Sequence, residues 1–129
     1  MGKSEEKLTK FKSATSRLEE AILQYDECGL SSCRDGVVQR FEFCTELAWK
    51  SAREYLTDEG YTDLNSPKSV MRQAYASDLI NDETAWLDLL YSRNLTSHIY
   101  DEATANEIFE KIKNCYLHLF KELAQELTR

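Results

Sequence analysis

The stretch DGVVQRFEFCTELAWKSAREYL, residues 35–56, decides the fold. Val37, Val38, Phe41, Cys44, Ala48, Ala52 and Tyr55 recur at steps of three and four, the spacing of one face of an α-helix. Phe43 and Leu47 fall off that face. At 100° per residue, Phe43 points about 200° from Phe41. A helix that is apolar on two sides meets two partners: its own bundle and, on the second side, another subunit. Asp35, Gln39, Glu42, Glu46 and Arg53 fill a polar strip that reads either as a solvated face or as part of a site.

The same period runs outward in both directions. Upstream, residues 4–27 carry Leu8, Phe11, Ala14, Leu18, Ala21, Ile22 and Tyr25 on one helical face, closed by Gly29. Ser31 or Ser32 then offers an N-cap for the second helix, which ends at Gly60. Downstream, Ser66 and Pro67 are the N-cap and first position of a short third helix reaching about Ile80. Asn81 or Asp82 caps a fourth. The last helix runs from Asp101 to about Leu127 with Ile108, Ile112, Cys115, Leu119, Leu123 and Leu127 as its stripe. No strand pattern, repeat or low-complexity segment appears. The architecture that buries such stripes is an all-α, up-down four-helix bundle with one additional short helix. At 129 residues, the chain reads as a single domain, 1–129.

Composition narrows the function. A net charge of −7 repels nucleic acid in general and confines any RNA contact to a local site. No apolar run is long enough to span a membrane, and the charged start MGKSEEKLTKF is no signal peptide, so a cytoplasmic protein is expected. The four cysteines, 28, 33, 44 and 115, contain no C-x2-C pair and read as reduced thiols, several of them in the core, with no metal site.

Chemistry concentrates at residues 93–102, RNLTSHIYDE. Trp86, Leu89, Leu90 and Arg93 follow the i, i+3, i+4, i+7 rule, so Arg93 ends a stripe that is otherwise buried. A guanidinium there needs an acidic partner or an open cleft. In an unbroken helix His98 would lie about 140° around from Arg93, and the group would not cluster. Clustering requires the helix to end near residues 95–97. Asn94, Thr96 and Ser97 are weak helix formers, and Asp101 is a good N-cap for the next helix. Plainer roles are equally open on spacing alone. Arg93 can pair with Glu42 or Glu46, His98 can sit at the carbonyl end of the fourth helix, and Tyr100 can be a core residue with a wet hydroxyl.

RNLTSHIY matches the R-x4-H-x-Y signature of HEPN-type helical proteins. Together with residues 35–56, SPKSVMRQAY (66–75) and INDETAWLDLLYSRNLTSHIYDE (80–102), the chain resembles the nucleotidyltransferase substrate-binding subunit family. The resemblance implies a homodimeric four-helix bundle and a minimal nucleotidyltransferase partner encoded nearby. The chain itself has no Gly-Ser turn followed by Asp-x-Asp, so ATP and Mg²⁺ are expected through the partner, with no cofactor bound by this chain alone. Some relatives are toxins silenced by AMP transfer to the motif tyrosine, which makes Tyr100 the AMP acceptor. Others are metal-independent ribonucleases, which gives Arg93 and His98 catalytic roles and RNA as substrate. Asp101 and Glu102 add local repulsion against RNA. Asn94, Glu42 and Glu46 are the accompanying binding candidates. A third reading is a scaffold, with Phe43 and Leu47 at an interface.

Overall fold

The computed structural model describes residues 3–98 and 101–129. Among them every regular element is helical: α1 (Lys3–Cys28), α2 (Ser31–Asp58), α3 (Pro67–Ala76), α4 (Glu83–Leu95), α5 (Glu102–Lys111) and α6 (Leu117–Thr128). A 3-10 turn, Thr96–His98, follows α4. A π-helical turn, Ile112–Tyr116, joins α5 to α6 with helical dihedrals at both junctions, so the three run on as one rod.

The helix ends follow local chemistry. Gly29 and Gly60 adopt left-handed φ of 66° and 97°, where a Cβ would be strained, and end α1 and α2. Ser66 and Ser69 form a reciprocal capping box, with Pro67 at the first helical position. Asp82 accepts from the Ala85 amide and Asp101 from the Thr104 amide. Two boundaries depart from the sequence reading. The N-cap of α2 is Leu30, extended and without a side-chain cap, because the two-residue turn puts Ser31 and Ser32 already inside the first helical turn. α3 ends at Ala76, since Asp78 turns the chain at φ 65°, although Leu79 and Ile80 remain buried.

One core joins all six helices. Phe120 sits among the rings of Phe11, Phe41 and Trp86, at centroid distances of 6.1, 6.1 and 5.8 Å. Such edge and tilted contacts suit the aromatic quadrupole. α2 packs against α1 on one side and against α3, α4 and α6 on others. Its buried arc, from Leu47 round to Leu56, is therefore about 180° wide. That width corrects the expected second face: Leu47 belongs to the core, and Phe43 alone of the pair is exposed, at 62%.

The last helix holds a second correction. Cys115, expected in the stripe, is exposed, and Tyr116 is buried in its place. A π turn takes more residues per revolution than an α turn, so Cys115 lags behind the core face and Tyr116 comes onto it. The cysteine reading also changes. Cys28 and Cys33 face each other across the two-residue α1–α2 turn rather than in the core, their Cα atoms 7.3 Å apart. Cys44 is a free core thiol, its pKa pushed up to about 12 by burial.

Arg34 fixes the start of the last helix. It is 5% exposed and lies on the core stripe of α2. Its Nη1 and Nη2 meet Glu102 Oε2 and Oε1 at 2.6 and 3.2 Å, and Nη1 also donates to Asn106 Oδ1 at 3.1 Å. This two-pronged pairing matches the fork of the guanidinium. Glu102 is therefore neutralised rather than free to repel an anion, which revises its expected role. The hydrogen bond and charge of Arg34 hold its carboxyl below the ordinary carboxylate range.

Two measurements test this frame. Phe120→Ala should lose about 3–5 kcal/mol of unfolding free energy, read by denaturant titration, because it empties the ring cluster. Glu102→Ala should destabilise more than Arg34→Met, since the first leaves the buried cation only Asn106 and a longer contact to Asp35 at 3.6 Å, while the second leaves an exposed carboxylate in water. The folded pKa of Glu102 is depressed, so its contribution is present above the unfolded carboxylate pKa and lost as pH falls through the folded one. The gap between wild type and Glu102→Gln should close over that acidic range; a gap independent of pH would refute the pairing.

Candidate functional site

The site is built where α4 ends. Trp86, Leu89 and Leu90 bury one side of α4, and Ser92 is buried beside them. The Tyr116 hydroxyl reaches across from the π turn to Ser92 Oγ at 2.7 Å and to the Asp88 carboxylate. Burial and the Asp88 hydrogen bond push the Tyr116 phenol above its ordinary range. The residue is a neutral strut that fixes the turn of α4 carrying Arg93.

Arg93 is partly buried, its side chain 28% exposed. Its Nη1 lies 3.3 Å from Glu42 Oε2 on α2 and donates to Thr96 Oγ1 at 3.3 Å. Thr96 Oγ1 stands 2.7 Å from Glu42 Oε2 and 2.6 Å from the Arg93 carbonyl, and its one proton serves either acceptor. Thus Glu42, of the two acidic candidates, takes Arg93. Glu46 lies 3.8 Å from Lys50 instead. Thr96 locks the first residue of the 3-10 turn to the last turn of α4.

α4 stops at Leu95 and the chain tightens through Thr96–His98, so the break that any clustering requires is present. His98 closes the turn and is exposed. Tyr100, the acceptor candidate, lies outside the described residues. The connector is held at both ends, by the Arg93–Glu42–Thr96 triangle before it and by Arg34–Glu102 after it.

Beside Arg93 a cleft of about 350 Å³ opens between α2, the start of α3 and α4. Glu46 and Trp49 line it from α2, Lys68 from α3, and Tyr91, Arg93 and Asn94 from α4. Asn94 and Glu46 thus share one cavity with Arg93, while Glu42 acts from behind it. Trp49 Nε1 and Arg93 Nε are buried donors with no hydrogen-bond partner among the described residues. The sequence reading missed Arg34, Trp49 and Lys68. Arg34 was visible as a charge three residues before Val37 on the apolar stripe. Trp49 and Lys68 are far apart in sequence, and only the packing of α3 on α2 brings them together. Among the described residues no group of three or more His, Cys, Asp or Glu side chains could hold a metal ion, and no helix is long and apolar enough to cross a membrane.

Comparison with known proteins supplies a family. Residues 6–129 match the family model described as "Nucleotidyltransferase substrate binding protein like". A probable ribonuclease HepT of Haemophilus influenzae is 32% identical over 81 residues, covering 60% of this chain; the match spans only 56% of that protein's length. HI0074 of the same genus, described as revealing the fold of a substrate binding domain of a nucleotidyltransferase, superposes with a TM-score of 0.85 at 25% identity, over 95% of this chain and 99% of its own. A Thermus thermophilus protein of known crystal structure gives a TM-score of 0.84 at 32% identity, over 92% and 99%. With the family model covering nearly every residue of the helical core, the chain belongs to the nucleotidyltransferase substrate-binding protein-like family.

Proposed function

We propose that this protein is the substrate-binding or acceptor subunit of a two-component minimal nucleotidyltransferase system of toxin–antitoxin type. It acts in the cytoplasm as a homodimer of up-down four-helix bundles. The observation that carries this reading is the family match over residues 6–129, joined to a connector clamped on both sides of the R-x4-H-x-Y stretch. Phe43, exposed on α2, is the apolar side chain such a subunit contact would use.

In the proposed reaction the Tyr100 phenol oxygen attacks the α-phosphorus of ATP. An O–P bond forms, the bond to the β-phosphate bridging oxygen breaks, and pyrophosphate leaves. The partner's base takes the phenolic proton, which is needed because a phenol with a pKa of about 10 is a weak nucleophile at neutral pH. The partner also brings Mg²⁺. Arg93, aimed by Glu42 and Thr96, offers a cation to the incoming phosphate.

A second reading is favoured by the ribonuclease relative. Arg93 would hold a scissile phosphate and His98 would move the proton of the 2′-hydroxyl or leaving oxygen. The two readings coexist in a toxin that its partner silences.

Intact-mass spectrometry separates them. Incubation with the neighbouring nucleotidyltransferase, ATP and Mg²⁺ should add one adenylate, and Tyr100→Phe should abolish the gain. No gain in a stable complex would sink the acceptor role. For the nuclease, Arg93→Ala should lower RNA cleavage by the isolated protein by about 10²–10³-fold; cleavage indifferent to Arg93 and His98 would remove that reading.

A further inference from the structure

Two cysteines stand at the tip of the bundle where α1 turns into α2. Only Gly29 and Leu30 separate the helices, and Gly29 takes the left-handed φ of 66°. Cys28 is exposed and Cys33 half-buried, so reagents in solution reach both. Their Cα atoms are 7.3 Å apart. Bridged cysteines usually lie at about 4.4–6.8 Å, so a small approach of the two helix ends joins them. Cys33 occupies the first turn of α2, the end of a helix that favours a thiolate. Cys28 Sγ accepts from the Leu30 amide at 3.5 Å, within the turn itself. The other two thiols compete poorly. Cys44 is sealed in the core, its pKa pushed up to about 12 by burial. Cys115 is exposed, but partial desolvation and the charges of Asp82 and Asp88 push its thiol up, away from the reactive form.

The neighbour of Cys33 gives the pair its reach. The Cys33 and Arg34 amides both donate to the Leu30 carbonyl, at 2.9 and 3.3 Å, so one turn carries both residues. Arg34 in turn holds Glu102 and Asn106, at the start of the helix that follows the R-x4-H-x-Y stretch. We propose that Cys28 and Cys33 are a reversible dithiol–disulfide switch whose closure draws the first turn of α2 toward α1 and loosens the hold of Arg34 on α5. The oxidant is a low-molecular-weight disulfide. The Cys33 thiolate attacks one of its sulfurs, its S–S bond breaks, and one half leaves as a thiolate. The Cys28 thiolate then attacks Cys33 Sγ in the mixed disulfide and expels the second half. Two electrons pass from the pair to the reagent, and the two protons lost by the cysteines end on the two released thiols. A sequence separation of 5 keeps the second step within the turn. In a reducing compartment such a bond is transient, which suits sensing rather than permanent stapling.

The test uses the whole chain alone, so it stands or falls separately from adenylate transfer. The protein is equilibrated, without air, in glutathione buffers of rising disulfide content. It is then quenched in acid, unfolded, alkylated with N-ethylmaleimide, and read by intact mass and peptide mapping. Reduced chains should take up four labels, one for each cysteine, and oxidised chains two, with Cys28 and Cys33 recovered as one linked peptide. Cys28→Ser should stop at a glutathione adduct on Cys33. Coupling between the switch and α5 is reciprocal: if closure loosens the Arg34 pairing, weakening that pairing must ease closure. Glu102→Gln should therefore close the pair at a glutathione disulfide level about five-fold lower or more. Asn106→Ala removes a single hydrogen bond to Arg34 and should shift the midpoint in the same direction, with helical circular dichroism unchanged. The switch is overturned if the pair keeps both labels in the most oxidising buffer or stops at glutathione adducts. Its link to α5 is overturned if both variants close at the wild-type midpoint.

Discussion

A cation sits where the core stripe of α2 begins, and the site depends on what that cation holds. Arg34 is nearly inaccessible, so its charge must be answered from within the protein. Glu102 and Asn106 answer it from the first turns of α5. The start of the last helix is thereby tied to the start of the second. The tie adds to the packing of Ala105, Ile108 and Phe109 in holding the start of α5. Asp101 strengthens the same junction by capping α5 through the Thr104 amide.

At the other end of the segment, restraint comes from a triangle rather than a fork. Glu42 engages both Arg93 and Thr96, and Thr96 in turn engages the Arg93 carbonyl. A guanidinium used in this way has a defined direction, which matters more for phosphate chemistry than its charge alone. The polar strip on α2 thus has a structural reason to exist. Its members Glu42 and Glu46, with Trp49 beside them, turn toward α4, where the helix ends and the cleft opens.

The helical class was legible because α1, α2 and α4 keep regular apolar periods, and Ser66–Pro67, Asp82 and Asp101 are strong start signals. Arg93 was legible as a charge on an apolar stripe. What escaped was either nonlocal or irregular. No spacing rule links Arg34 to Glu102, 68 residues away, or Trp49 to Lys68 across a helix packing. Leu47 was assigned to a second face because a single stripe was assumed, whereas a helix with neighbours on several sides buries a wide arc. Cys115 was misplaced for a different reason: a constant 100° step cannot anticipate a turn that is wound more loosely.

That loosely wound turn has a consequence for chain length. Between Lys111 and Leu117 the rod accommodates more residues than an α-helix of the same rotation would. α5 and α6 are in phase with one core because of this surplus. A chain lacking one residue at solvent-facing Asn114 could wind the segment as plain α-helix and keep Ile108 and Phe120 on the same side. A deletion one turn earlier or later, in α5 or α6, would instead turn everything beyond it by about 100°. The π turn is therefore the place in this rod where losing one residue leaves the core stripes on either side in register.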